Sequence, residues 1–405
     1  MKKIKQTLIS VCVGSLLINT AVLAQDVNLV SIPVPDHKIE QESLHFSQPI
    51  TENSLSPFVS QRYVNASDEY WMEVSGKELN SGLALNISQP GALIRLSGKA
   101  NLENKGLQAM SIDPETIELR KDAELLASPF SSKVTKEQLA TANIFPNSSA
   151  VKLNKNVGKG TFQLRVTQSL NSEDRFMLNV KEKGSPYQLA YSAPAQALLA
   201  NQEFTFDMSM NKSSKSLGGV THNTFIKSPS GEVQAVAYQV SGDKYSITLP
   251  DSFSNDASAS LGGLYELHIV SQARDANLNV NRNGKIAFAI AQPTARMTGE
   301  VNVGNAQALV GLDVASEGRY EISAIVSGLT KQGKSKKVML SRSAHYLQPG
   351  LQNVQLKFDT AILKQANVIA PYKVSQLRLV DQSRMSLLEQ QQQDLSKELP
   401  INSHM

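Results

Sequence analysis

Short runs in which apolar and polar residues alternate recur along this chain, separated by glycine, proline and asparagine. Between Tyr187 and Ala291 the runs are LAYSA, QEFTFDMSM, GGVTHNTFIKSPSGEVQAVAYQV, KYSITLP, LYELHIV and KIAFAIA. A period of two sends one side of each run into a core and the other to solvent, which is strand patterning. Pro229-Ser230-Gly231 and Ser241-Gly242-Asp243 punctuate the runs. Asn283-Gly284, a dipeptide that tolerates positive φ, predicts the hairpin turn between GGLYELHIV and GKIAFAIA. Pro293 ends the second of these strands, because it has no N–H to give a ladder. Short strands at this spacing, with no helical period, predict an immunoglobulin-like sandwich over 186–293.

The same patterning continues on both sides. ALVGLDVAS, GRYEISAIVSGL, KKVMLSRSAHYL, NVQLKFDTAIL and KVSQLRLVD predict a second such sandwich over 294–405, closed by a short helix at 383–395. Gly318-Arg319-Tyr320 and Gly263-Leu264-Tyr265 read as a shared strand-opening device in two related sandwiches. Upstream, GLALNIS and ALIRLSG flank the turn Gln89-Pro90-Gly91, and GKGTFQLRVTQ and DRFMLNVKEK form a hairpin, predicting a β-rich domain over 67–185. Within it, Asp68–Leu79 reads as a short helix with Trp71, Val74 and Leu79 on its apolar side, and 131–143 as a helix capped by Thr135. Residues 25–66, with Pro33, Pro35, Pro49 and Pro57, read as an extended leader lying across the first domain or partly mobile. The fold class is therefore mainly β: consecutive β-sandwich domains, the last two immunoglobulin-like.

Composition changes this picture in one respect, the compartment. MKKIKQTLISVCVGSLLINTAVLA at 1–24 has a basic start, an apolar centre and a small-residue exit, so it predicts a signal peptide cleaved after Ala24. A membrane anchor is the competing reading of 6–23, but Ser10, Ser15 and Asn19-Thr20 interrupt a run already short for a span. Loss of Lys2, Lys3 and Lys5 lowers the net charge from +4 to +1, which argues against nucleic acid as the partner. The one cysteine, Cys12, leaves with the signal, so thiol catalysis and thiolate metal sites are excluded. The expected destination is the periplasm or the exterior, with no stable membrane anchor after cleavage.

SDEYWMEVSGKELNSGLALNISQPGALIRLS, then GGLYELHIV and AFAIAQPTARMTG, then GRYEISAIV and APYKVSQLRLVDQSRMSLLE, occur in an order that resembles domain-of-unknown-function family 4785, a family of exported Gram-negative bacterial proteins. The resemblance covers about residues 67–390 and implies a secreted or periplasmic protein of β-sandwich domains. It carries over no catalytic residue.

Candidate chemistry is sparse. The six histidines show neither HExxH nor HxH spacing, and no GxSxG occurs, so neither a zinc site nor a nucleophile elbow is predicted. Adjacent carboxylates such as Asp68/Glu69 and Glu173/Asp174 would face opposite ways on a strand, which is wrong for paired acid–base work. Asp275, Asn277, Asn279, Asn281 and Asn283 place an oxygen at every second position, a ladder suited to calcium or a sugar, with 251–260 able to fold over it. Only Asp275 is acidic, so a solvated edge strand is the competing reading. Trp71, the sole tryptophan, is a core anchor or a sugar platform. Arg378, Asp381 and Arg384 could form a salt-bridged corner at the end of the last domain. The expected ligand-binding residues are thus Trp71, Asp275, Asn277 and Asn279, with no catalytic residue, no resident metal, and calcium the one cofactor worth testing.

These observations predict an exported, non-catalytic binding or interaction protein for a surface glycan or protein. The alternatives are a secreted hydrolase with its site near Trp71, Glu73, Glu78 and Arg95, and a periplasmic structural or secretion-assembly factor.

Overall fold

The computed structural model describes residues 28–35, 38–51, 61–101, 107–145, 147–195, 197–200, 202–242, 244–250, 253, 263–391 and 397–398. The signal-peptide expectation over 1–24 and nearly all of the 251–260 loop lie outside the described residues. The alternating runs fold into three sandwiches, each closed over its own apolar cluster.

In the first sandwich one sheet runs in the spatial order Phe130–Val134, Ser148–Leu153, Leu93–Gly98, Arg175–Lys181, Glu69–Ser75. The facing sheet holds Leu83–Ile87, Gly160–Val166, Ile117–Lys121 and Glu124–Leu125. The helix expected over 68–79 is mostly strand: Glu69–Ser75 alternates, with Tyr70 and Val74 inward, and only Gly76–Ser81 turns helical. Ser75 caps that turn by accepting from the Glu78 N–H, while the Glu78 carboxylate accepts from Ser75 N at 2.7 Å. A period of two wins here because it buries Tyr70 and Val74 together and leaves Trp71 on the outer face.

The second sandwich pairs a sheet of Tyr187–Pro194, Glu203–Lys212, Lys244–Thr248 and Tyr238–Ser241 with a sheet of Val233–Val236, Thr221–Lys227, Tyr265–Asp275 and Leu278–Phe288. This is immunoglobulin order, and Tyr265, opening its penultimate strand, donates its hydroxyl back to the Phe253 carbonyl as a tyrosine corner. The hairpin turn is not at Asn283-Gly284. Asp275 pairs with Leu278, so the chain reverses at Ala276-Asn277, with Ala276 at φ 52°. Gly284 lies inside the strand, opposite Ile269, and is glycine because a Cβ there would sit 2.8 Å from the Tyr191 ring and 3.1 Å from Leu189 Cδ2. Gly284→Val is accordingly expected to cost about 1–3 kcal/mol by overpacking, read as a lower thermal midpoint with the far-ultraviolet spectrum retained.

The third sandwich sets Ser335–Leu347, Gly318–Leu329, Ile369–Asp381 and Ser386–Gln390 against Gly350–Lys357, Gln307–Val314 and Ala295–Val303. The closing helix expected at 383–395 is replaced by the strand Ser386–Gln390, which buries Leu388 and pairs with Ile369–Asp381. A helix forms instead at Thr360–Gln365, capped by the Asp359 carboxylate. The two Gly-x-Tyr motifs are not equivalent: Tyr320 opens the third strand of its sandwich and donates to Ser316 O at 2.6 Å, whereas Tyr265 opens a penultimate strand.

The leader is extended, but it runs along the last and middle sandwiches rather than across the first. Leu44–Pro49 adds to the free edge of Ser335–Leu347, and Arg62–Ser67 adds to the edge of Tyr187–Pro194. Ahead of these strands, Val30 N donates to Pro293 O at 3.0 Å and Ile32 N to Ser316 Oγ at 2.9 Å. The leader thus straps two sandwiches before the chain enters the first.

Candidate binding face

The outer face of the five-stranded sheet in the first sandwich gathers the aromatic and cationic side chains that sequence reading singled out. Strand register sets them in rows: Trp71 beside Asn179, Asn179 beside Arg95, Arg95 beside Ala150. The Arg95 guanidinium carbon lies 3.6 Å from the centre of the Phe145 ring, a stacked cation–π pair. Its Nε is buried with no hydrogen-bond partner among the described residues, and burial lowers the guanidinium pKa from its ordinary value. Asn179 Nδ2 donates to Glu69 Oε2 at 3.2 Å. The face therefore offers a half-buried indole and, across the buried Asn179, a guanidinium that makes no ion pair with a carboxylate among the described residues.

The residues expected to act with Trp71 lie elsewhere. Asp275 sits at the hairpin tip, where Tyr187 donates to its carboxylate at 2.7 Å and Lys212 at 2.6 Å. Those bonds, that from Lys212 first, hold the Asp275 carboxyl below its usual range. Asn277 forms the turn, and Asn279 is exposed opposite Arg274. Asn283 is four residues beyond Asn279, about 14 Å away at strand spacing, with Nδ2 donating to Trp71 O at 2.8 Å. The oxygen ladder is thus divided between a protein ion pair, a turn and a domain joint, and among the described residues no three His, Asp or Glu side chains gather for a metal. Of the group considered for hydrolysis, Trp71, Glu73 and Arg95 share the outer face, but Glu73 pairs with Lys99 and Glu78 is spent capping its helix. His268 stacks on Phe225 at 4.6 Å and bonds Glu266 at 3.0 Å, on the outer face of the middle sandwich. A shallow depression on the other sheet of that sandwich contains Asp207, already held by Arg62, Lys244 and Ser192.

Residues 35–182 match the N-terminal domain of a domain-of-unknown-function family, DUF4785, and residues 294–398 match its C-terminal domain. The chain belongs to the DUF4785 family. A crystal structure of a DUF4785 family protein from Legionella pneumophila superposes with a TM-score of 0.64 at 21% identity, covering 90% of this chain and 98% of that one. At this identity the likeness speaks for the fold. Escherichia coli α2-macroglobulin (TM-score 0.21, 9% identity, 83% of this chain and 31% of that one) and the bacteriophage RB49 outer capsid protein Hoc (0.19, 7%, 78% and 94%) are too distant to bear on it. No curated protein matches the chain.

In the DUF4785 chain the candidate face abuts a closed joint. Glu182, at the end of the first sandwich, and Arg282, from the second, are fully buried and meet at 2.6 Å. Arg282 also donates to Tyr187 O at 2.9 Å, Ser185 Oγ at 2.8 Å and Ser88 Oγ at 3.0 Å, and Glu182 accepts from Ser88 N at 2.6 Å. With Arg282 Nη1 donating to Asn281 O at 2.6 Å, every polar side-chain atom of the pair is answered, the condition for burying charge. Sequence reading passed over Arg282, though an arginine at the inward phase of Val280-x-Arg282-x-Gly284 is a usable sign of a buried pair.

The second joint is the corner expected at 378–384, with changed membership. Arg384 donates to buried Asp381 at 2.7 Å, and Thr294 Oγ1 reaches the same carboxylate at 2.7 Å, while Arg378 lies further back on the strand, where Glu321 and Arg342 act on it. Arg384 also holds the carbonyls of Ile32 and Pro33 at 3.2 and 3.0 Å, so the corner grips the leader. Burial there pushes the Tyr320 hydroxyl up to about 12.

Proposed function

We propose that this DUF4785 chain is an exported, non-catalytic binding protein that takes an acidic surface glycan on the Trp71–Asn179–Arg95 face. The observation that carries the reading is Arg95, fixed beneath Phe145 with a buried Nε that no group among the described residues answers. A guanidinium pre-set in this way recognises carboxylates, and an adjacent indole suits the apolar side of a sugar ring. The amino-terminal stretch 1–24 supports export, and no helix among the described residues is long and apolar enough to cross a membrane.

Trp71 is the only tryptophan, so its emission reports on the face directly. Titration with oligogalacturonate is expected to shift that emission, and a neutral oligosaccharide of the same length is not. Arg95→Gln should weaken the oligouronate by about 1.5–3 kcal/mol, roughly ten- to a hundredfold in Kd. No response to either sugar would overturn the reading. A periplasmic structural or assembly role would then stand first, favoured by the leader strap that joins two sandwiches.

A further inference from the structure

The seam between the leader and the last sandwich is polar. His45 and Ser47, on the inward side of Leu44–Pro49, lie opposite Ser343 and Ser341. His45 Nδ1 is 2.8 Å from Ser343 Oγ, and Ser47 Oγ donates to Ser341 Oγ at 3.3 Å. His345 closes the seam. Its Nε2 donates to Gln355 O at 3.1 Å, which leaves Nδ1 to accept from the Ser43 hydroxyl at 2.9 Å. The two imidazoles stand edge to face with centroids 5.3 Å apart.

The charges acting on these rings are cationic. Lys357, from the strand Gly350–Lys357 of the facing sheet, acts on both, and Arg319, from Gly318–Leu329, acts on His345. Glu40 and Glu42 give Arg319 their backbone carbonyls at 2.7 Å each. Burial first, and these cations after it, lower both histidines from their ordinary value.

We propose that the Leu44–Pro49 strand is a latch released by acid, in which protonation of His45 and His345 drives the leader from the edge of the last sandwich. Docking adds to the burial that disfavours the charged form of both rings, and release relieves it for His45 and in part for His345, whose neighbours Arg319 and Lys357 stay with the sandwich. Docking is therefore at full strength above about pH 6.5 and is lost as pH falls below it, because the released state then binds more protons. Two imidazolium charges within one seam, beside Lys357, repel each other and the wall they face.

The test is amide exchange along 44–48 in the full chain, corrected for the intrinsic pH dependence and referred to the Glu69–Ser75 strand. From pH 7.5 to pH 5.5 the excess opening of the leader strand is expected to rise several-fold, and His45→Gln/His345→Gln should abolish the rise. Lys357→Ala, which leaves both rings in place, should move the release to lower pH. A leader strand equally protected at both pH values, or an undiminished rise in the double variant, would overturn the latch.

Discussion

Arg282→Met is expected to destabilise the joint between the first two sandwiches by about 3–5 kcal/mol, because it strands a buried carboxylate. Glu182 is wholly buried, and after the change its charge would be answered only by Ser88, with a weak contact from Gln89 N at 3.3 Å. The loss should appear as a lower denaturation midpoint for the first transition, since a chain of three sandwiches need not unfold in one step. Glu182→Gln combined with Arg282→Met should recover part of it, as the charge is removed while the amide still serves Ser88. A double variant as unstable as the single one would show that the geometry of the pair, rather than the stranded charge, sets the cost.

Arg384→Ala is expected to act at the other joint with similar size, about 3–5 kcal/mol, again by leaving a buried acid short of its partner. Asp381 would keep Thr294 and the Arg384 N–H at 3.2 Å, while the carbonyls of Ile32, Pro33 and Glu317 lose their donor. For a sandwich of about 100 residues this lowers the thermal midpoint by on the order of 15 °C. The added signature is in the leader: limited proteolysis near Lys38 should quicken in the variant at temperatures where the sandwich itself stays folded. Unchanged cleavage there, with a lowered midpoint, would mean that Arg384 serves the corner and does not hold the leader.

The sandwiches were legible because each strand carries its own period of two. GGLYELHIV and GKIAFAIA sort into inward and outward residues with no help from distant parts of the chain, and Tyr265–Asp275 and Leu278–Phe288 follow that sorting. Features decided by long-range contact were not legible. Gly284 was read as a turn because its reason for being glycine, the Tyr191 ring, is contributed by a strand on the opposite sheet. SRMSLLE was read as a helix because its pairing partner, Ile369–Asp381, does not show in the local pattern. Asp275 looked free for a ligand because Tyr187 and Lys212, which take its carboxylate, come from elsewhere in the sandwich. Of the candidate face, Trp71 and Arg95 were noticed as residue types, but Asn179 and Phe145 were not. Only the register across the Arg175–Lys181 strand and the loop after Lys136–Thr141 bring those two beside them.

The strap also orders events during synthesis. His45 bonds Ser343, 298 positions later, so the first strand to be made has its docking edge made almost last. A loop of that length is costly to close, and the contact cannot nucleate anything. The last sandwich must therefore mature around its own core with one sheet edge open, and the leader strand settles there as the concluding act of folding. Until then, and again wherever acid releases the leader, the bare edge of Ser335–Leu347 is a template for strands of other chains.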